Sequence, residues 1–484
     1  MKKIKILTTS FLIALLFVCF RVGFISVIQN NRLSQMASAQ RIAQKEIKQW
    51  RGCIYDCNMI PFCDRSESRV DVYNGSVPVV ARYHDNGIAR HIMGYVRSDG
   101  TGVSGIEGAF DKILTSDKKS YARYVRDAVG NAVLNNYATK NYNYIPQCNI
   151  KTTLDYKIQK IAENAATNHI KNGAVVILDI QNFDIKAMVS RPQYNQTDIA
   201  SNMQDDGSPL LNKALCSYNA GSIFKIITTA AALESEYNID VICNGSIDID
   251  GICFLCHKQD GHGNINFKTA FAKSCNVFFY NAGQQAGTVS IIQMAHRFGL
   301  GNKVINTPLE ETSGSIPYRS NYSPRENANI SIGQGEVLVT PVQAAYITAV
   351  IANDGIARSV NVADSIVGAD GEVLRTIRKD KSNVVISKEI AVTIGDMMRE
   401  CVLEGTAQGV QNGIVAVAGK TGSAETGWSD SNGEMMVHGW FCGFFPYENP
   451  KYAMAVFCEN GKSGSASCIE PFREIVLAIN DMEN

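Results

Sequence analysis

The sequence predicts a mixed α+β protein: an N-terminal membrane-spanning helix, a small β-rich module, and a larger C-terminal domain with an antiparallel sheet covered by helices. Three observations carry this. Ile6 to Ile28 is apolar apart from Arg21. The β-branched run Gly173–Asp179 reads as a buried strand, and Ile223–Leu233, apolar nearly all round and rich in Ala, reads as a helix at a domain centre. Near the end, Val415–Ala418, Val437–Phe445 and Tyr452–Cys458 look like three successive strands with short connections, the arrangement of antiparallel neighbours.

Taken in order, Lys2, Lys3 and Lys5 precede an apolar stretch about long enough to cross a bilayer. The lysines place the N-terminus on the cytoplasmic side and the rest of the chain outside. Ala37-Ser38-Ala39 imitates a signal-peptide cleavage site, but it lies well beyond an apolar run that is long for a signal core. The expected organisation is an anchor over 1–28, a stalk and small module over 29–150, and a larger C-terminal domain over 151–484. Gln29 to Trp50 is polar with little Gly or Pro and predicts a helical stalk. Arg51 to about Cys148 has short apolar segments with frequent Gly and Asn, which predicts the β-rich module. Pro471 opens a final helix.

Composition narrows the class. The chain has 484 residues, 45% hydrophobic and 19% charged, which excludes wholesale disorder, a coiled coil and a collagen-like rod. Lys plus Arg is 46 and Asp plus Glu is 46, so the basic excess of a nucleic-acid binder is missing. Of fourteen cysteines, Cys19, Cys216, Cys275, Cys442 and Cys458 sit in apolar runs, where buried free thiols are the simple reading.

Three short patterns carry chemistry. Ser222-Ile-Phe-Lys225 opens the apolar helix, and residues three apart share a helix face, so Lys225 can reach the Ser222 hydroxyl. Serine is a nucleophile only when a base takes its proton, and lysine is that base only when burial or a second cation keeps it neutral. Ser274-Cys275-Asn276 follows Ser222 by 52 residues, and Lys420-Thr421-Gly422-Ser423 begins 146 residues after Ser274. Lys420 supplies the second positive charge and attracts a carboxylate. Gly422 lets an extended substrate lie along the strand Val415–Gly419 that leads into the motif, and Ser423 offers its hydroxyl and N–H. Asn276 can bond a substrate amide, and Ser274 can relay a proton to a leaving group. Each pattern has look-alikes: Ser116–Lys119, Ser217–Asn219, Ser359–Asn361 and Lys462–Ser465. Ser116 and Lys462 are expected to be inert. Order and setting single out the three.

From these motifs outward the chain resembles the class B penicillin-binding proteins, the monofunctional peptidoglycan D,D-transpeptidases of the FtsI and PbpA group. Further landmarks are Arg51-Gly-Cys-Ile-Tyr-Asp56-Cys-Asn58, Gly105-Ile-Glu107, Thr153-Leu-Asp155 with Gln159, and Asn212-Lys-Ala214 with Tyr218. Ser331-Ile-Gly-Gln334-Gly335, Thr340-Pro341 with Gln343, Ala352-Asn353-Asp-Gly355 and His438-Gly-Trp440-Phe441 complete them. Ala220 departs from a usual proline, and Cys57 and Met59 from a usual Arg and Gly. The resemblance implies a serine transpeptidase fold, catalytic Ser222, Lys225, Ser274 and Asn276, and a substrate-binding Lys420, Thr421, Gly422 and Ser423. It implies stem peptides and β-lactams as ligands, a membrane glycosyltransferase of the SEDS type as partner, and no cofactor.

Rival readings are a β-lactamase, a D,D-carboxypeptidase using the same serine, and a non-catalytic β-lactam-binding scaffold. The first needs a water-activating group, and the sequence shows no Glu-x-x-Leu-Asn segment of the class A kind; the three intact motifs argue against the last. Cys253-Phe-Leu-Cys256-His257 is a literal haem-attachment pattern without an obvious distal ligand. With His262 it makes a zinc set of Cys253, Cys256, His257 and His262. The resemblance implies instead a loop stapled or packed by its cysteines, so no metal is expected.

Overall fold

The computed structural model describes residues 2–47, 51–63, 82–83, 87–97, 100–115, 120–125, 148–203, 207–236, 240–429 and 433–484. The chain divides into two compact units, one of residues 1–50, 66–81 and 116–145, the other of 51–65, 82–115 and 146–484.

In the first unit, helix α1 (Lys2–Val27) has 26 residues and buries none of them. At 1.5 Å per residue it is about 39 Å long, enough to cross the hydrocarbon core of a bilayer. The expected stalk helix stops early: a helix over Asn30–Arg41 gives way to a strand, Ile42–Ile47, paired antiparallel with Ser120–Val125. The partner carries Tyr121, Tyr124 and Val125, strong strand formers, and pairing overrides the local helical preference.

In the second unit follow helix α2 (Tyr156–His169), strands β1 (Gly173–Asp179) and β2 (Ile185–Arg191), and helices α3 (Lys225–Glu234), α4 (Phe267–Ala272), α5 (Asn276–Ala286) and α6 (Pro341–Ala352). Strands β3 (Ala418–Ser429), β4 (Met435–Phe445) and β5 (Tyr452–Cys458) and helix α7 (Ile469–Glu483) come later, among further elements such as the helix Lys388–Leu403. The five strands form one antiparallel sheet in the order β3-β4-β5-β1-β2. Alternate residues of β1 show how it is covered. Val175 and Ile177 face α2 and α7 with Phe441, Met454 and Phe472; Ala174, Val176 and Leu178 join Trp440, Phe457 and the residues of α3 and α6. Burial on both faces is why β1 reads as a continuous apolar run rather than an alternating one.

The landmark residues acquire physical jobs here. Asp155 caps α2, and Gln159 binds both backbone groups of Met188 at 2.8 and 3.0 Å, locking α2 to β2. Thr340 and Gln343 form a reciprocal capping box at the start of α6. Of the region read as a β-rich module, the described residues of this unit carry one short strand, Ile54–Tyr55, and three short helices, Arg90–Met93, Gly105–Ala109 and Asp111–Leu114. Ile54–Tyr55 adds to a four-stranded sheet with Asn149–Thr152, Ala363–Val367 and Val373–Thr376.

Arg51 donates to Glu107 at 2.9 Å and to Asp111 at 2.5 Å, and Arg82 also pairs with the fully buried Glu107. Removing one partner of a buried pair strands the other charge. Glu107→Ala is therefore expected to destabilise the unit by about 3–5 kcal/mol, measured by chemical denaturation. A cost under about 1 kcal/mol, the range of exposed pairs, would show that water screens this cluster.

The thiols are partly as expected. Cys275, Cys442 and Cys458 are buried, but Cys216 is half-buried and Cys19 is exposed on α1, none of whose residues is buried among the described residues.

Candidate active site

Ser222 does not begin an α-helix. It sits in a single 3₁₀ turn, Gly221–Phe224, and α3 starts at Lys225. The turn is fixed by Gly221, whose φ of +55° suits glycine and where a Cβ would lie 2.6 Å from the Ser423 carbonyl oxygen. The Gly221 N–H donates to Gly333 O at 2.8 Å, and Thr228 of α3 donates to Ser331 O at 2.8 Å, so the Ser331–Gly335 landmark holds the turn from below.

Lys225 is fully buried. Its ammonium donates to Ser274 O at 2.8 Å, Ser274 Oγ at 3.1 Å and Asn276 Oδ1 at 2.7 Å, rather than to Ser222. Burial drives the Lys225 pKa well below its ordinary value, and the nearby Lys420 charge lowers it further.

The second motif is a hinge between helices. After α4 the chain reverses at Ser274, whose φ is +54°, and Cys275 caps α5 by accepting the Phe278 N–H, leaving Asn276 as the first helical residue. A serine in the left-handed region is strained and held by its surroundings. Here that strain turns both the Ser274 carbonyl and its hydroxyl onto Lys225.

The third motif lies inside its strand, correcting the expectation that Val415–Gly419 leads into it. The Asn412 side chain takes the N–H groups of Ile414 and Val415 at 2.9 and 2.8 Å, so they are unavailable to a ladder, and β3 begins only at Ala418. Lys420 pairs with Cys442, and Gly422 with Trp440. Lys420 is also fully buried and donates to Ser274 Oγ at 3.0 Å and to Thr421 O at 2.9 Å. Burial lowers its pKa as well. Two lysines thus share one serine hydroxyl. Thr421 bonds the Thr406 hydroxyl, and the exposed Ser423 accepts the Gly464 N–H at 3.2 Å. A Cβ on Gly422 would meet the Ile223 side chain at 2.8 Å, beside Ser222.

All three motifs open on one groove of about 980 Å³, lined by Ser222, Ser274, Asn276, Thr421 and Ser423 among others. Since β3 is the edge strand, it offers unpaired backbone groups along the groove. The groove also takes in Lys462, Ser463 and Ser465, so the look-alike expected to be inert is part of its wall. The link is tertiary, through Gly464 to Ser423, and local pattern carries no sign of it. Asn219 and Tyr280 are further lining residues that sequence reasoning passed over. The Asn361 side chain instead holds the Lys379 backbone, donating to its carbonyl and accepting its N–H, and the Ser116–Lys119 copy lies outside the described residues.

Beside the second motif is a cluster of soft ligands. Cys243, Cys256, His262 and Cys275 bring their donor atoms within 4.8 Å of one another. This differs from the ligand set weighed on sequence: Cys253 and His257 are exposed and outside the cluster, Cys256 and His262 are inside it, and Cys243 and Cys275 complete it. Of these residues only Cys243 and Cys253 lie in strands; the others sit in loops and at a helix cap, so local spacing could not choose among these side chains.

Residues 173–477 match the family described as the penicillin binding protein transpeptidase domain. The peptidoglycan D,D-transpeptidase PbpA of Mycolicibacterium smegmatis is 34% identical over 342 residues, covering 65% of this chain and 67% of that protein. The peptidoglycan D,D-transpeptidase MrdA of Acinetobacter baumannii is 29% identical over 349 residues, covering 65% of this chain and 51% of that protein. Among solved structures, the ceftriaxone acyl-enzyme complex of penicillin-binding protein A from Mycobacterium tuberculosis shares the fold, with a TM-score of 0.73 at 24% identity over 89% of this chain and 98% of that one.

Proposed function

The chain belongs to the penicillin-binding protein transpeptidase family, and from that premise we propose that it cross-links peptidoglycan stem peptides through an acyl ester on Ser222. One observation carries the assignment of roles: Lys225 and Lys420, both buried, converge on the Ser274 hydroxyl at 3.1 and 3.0 Å in the groove that Ser222 lines. Lys225 is the base. Depressed by burial and by Lys420, it is neutral in a larger fraction of molecules than an exposed lysine and can take the Ser222 proton.

Ser222 Oγ then attacks the carbonyl carbon of the penultimate D-Ala of a donor stem. The bond to the terminal D-Ala nitrogen breaks, and the leaving amine receives the proton from Lys225 by way of Ser274 Oγ. An amine of a neighbouring stem attacks the ester, its surplus proton returns through Lys225 to Ser222 Oγ, and an amide cross-link remains. Asn276 and the β3 edge align the donor backbone, and Lys420, Thr421 and Ser423 receive its carboxylate. A β-lactam enters as the donor does and leaves an ester on Ser222.

Gly422 sets the distance between the edge strand and the nucleophile turn. Gly422→Ala is expected to leave folding intact and to slow acylation by a fluorescent penicillin on the order of 10²-fold, the cost of a roughly 1 Å misplacement. Unchanged acylation would show that the Ile223 side chain yields without moving Ser222.

The proposal extends to topology: α1 anchors the chain, 29–150 form a stalk and pedestal, and 151–484 lie outside the membrane, as Lys2, Lys3 and Lys5 favour. In the bilayer α1 offers an apolar surface to a SEDS-type glycosyltransferase that supplies the glycan strand. The deciding experiment supplies the full chain in detergent with a donor pentapeptide and an amine acceptor, and reads products by mass spectrometry. Cross-linked amide is expected. Hydrolysed tetrapeptide alone would make the protein a carboxypeptidase, and a retained penicillin label without peptide turnover would make it a scaffold.

A further inference from the structure

We propose that Cys243, Cys256, His262 and Cys275 hold a zinc ion, and that through Cys275 this ion fixes the turn bearing Ser274 and Asn276. The second clause rests on the roles given above to those two residues; the first does not.

The spacing of the donor atoms is that of a coordination shell. His262 Nδ1 lies 3.6 Å from both Cys243 Sγ and Cys256 Sγ, and Cys256 Sγ lies 4.0 Å from Cys275 Sγ. A tetrahedral zinc with bonds of about 2.3 Å to sulfur and 2.0 Å to nitrogen puts its sulfurs about 3.8 Å apart and sulfur and nitrogen about 3.5 Å apart. A disulfide between Cys256 and Cys275 would need about 2.05 Å. Three thiolates and an imidazole are soft donors that select zinc over magnesium or calcium, and four protein ligands leave no open position, so the ion is structural. Each thiol releases its proton on binding.

The backbone is shaped for the purpose. Strands Val241–Cys243 and Gly263–Ile265 pair, and the His262 N–H donates to Cys243 O at 2.9 Å, bringing two ligands together. The Cys256 N–H donates to Gly245 O at 2.8 Å, bringing the third. Gly245 has a φ of +96°, and a Cβ there would lie 1.8 Å from Gln259 O, so the turn closes only around glycine. Part of the segment turns outward: Ile242, Ile252 and Leu255 are 66%, 45% and 59% exposed, while Ile249, Ile265 and the three cysteine ligands are buried. A metal adds cohesion to these three thiols and the imidazole beyond that apolar burial.

The fourth ligand ties this segment to the chemistry. Cys275 stands between Ser274 and Asn276, and the Phe278 N–H donates to its sulfur at 3.5 Å. Leu255 O, one residue from the Cys256 ligand, accepts from Asn276 Nδ2 at 3.5 Å and Tyr280 OH at 3.2 Å. The ion therefore braces the turn on both sides, and Cys275 is a positioning residue.

The test is made on the full chain in detergent, with metal read by inductively coupled plasma mass spectrometry and acylation by a fluorescent penicillin. About one zinc per chain is expected in the wild type, in Ser222→Ala, and in Cys253→Ser and His257→Ala. It is lost in His262→Ala, with acylation slowed about 10–100-fold, and kept in His262→Cys with acylation restored. Should His262→Ala fail to fold, stripping the wild type with a chelator gives the same loss, reversed by one equivalent of zinc. A folded wild type that takes up no zinc, or His262→Ala that retains it, overturns the site. Zinc removal that leaves acylation unchanged overturns the bracing role. Zinc bound at one per chain with no Ser222 labelling leaves the metal site standing and sinks the acyl-serine reading instead.

Discussion

Ser222→Ala is expected to abolish covalent labelling by penicillin, a loss on the order of 10⁴-fold or more, while the purified chain keeps its fold. Removing a nucleophile deletes the bond-forming atom, and neighbouring groups that bind and polarise the substrate do not replace it. The groove would keep its other walls, because Ser222 is outside the hydrogen-bond network that joins Lys225, Ser274, Asn276 and Lys420. Substrate affinity should therefore change far less than the acylation rate, and the melting temperature little. The measurement is a denaturing gel of wild type beside the variant after exposure to fluorescent penicillin. A band of equal intensity in Ser222→Ala would mean that another nucleophile is acylated, with Ser274 the first to examine.

Lys420→Ala should slow acylation about 10²–10³-fold at pH 7 and change the shape of its pH profile. With Lys225 as the proposed base, acylation needs it neutral, so the rate is expected to rise with pH through the Lys225 pKa and then level off. Lys420 is one of the causes holding that pKa below 10.5. Without its charge the Lys225 pKa moves up, the acid limb moves to higher pH, and less base is neutral at pH 7. Part of the lost rate should return as the pH is raised toward 10. A loss uniform across pH would mean that Lys420 acts only as a hydrogen-bond donor. The same depression costs stability: the unfolded chain binds more protons than the folded one between the two lysines' folded pKa values and 10.5, so their contribution becomes more favourable as pH rises through that window.

Much of the candidate site was legible because its members are set by local chemistry. Ser222 and Lys225 are three residues apart on one turn, and the apolar run behind them announces a buried helix whatever it packs against. The two edges of that reading that moved are both cases where one side chain or one backbone angle outweighs a pattern. Gly221 turns the first residues into a 3₁₀ turn, and Asn412 captures two N–H groups that would otherwise start β3 three residues earlier. Neither competition can be resolved without knowing what surrounds Gly221 and where Asn412 points.

The sequence left β2 unread, but by itself it determined the apolar helix, strands β1, β4 and β5 and the identity of every group in the three motifs. These depend on residue type and on separations of a few positions. The tertiary structure alone decided that Lys225 bonds Ser274 and Asn276 instead of Ser222, that Lys462 shares the groove, and that Cys243 and Cys275 replace Cys253 and His257 beside Cys256 and His262. The physical reason is common to all three: a side chain reaches only a few ångströms, and which partner falls within that reach is set by packing between segments tens to hundreds of residues apart.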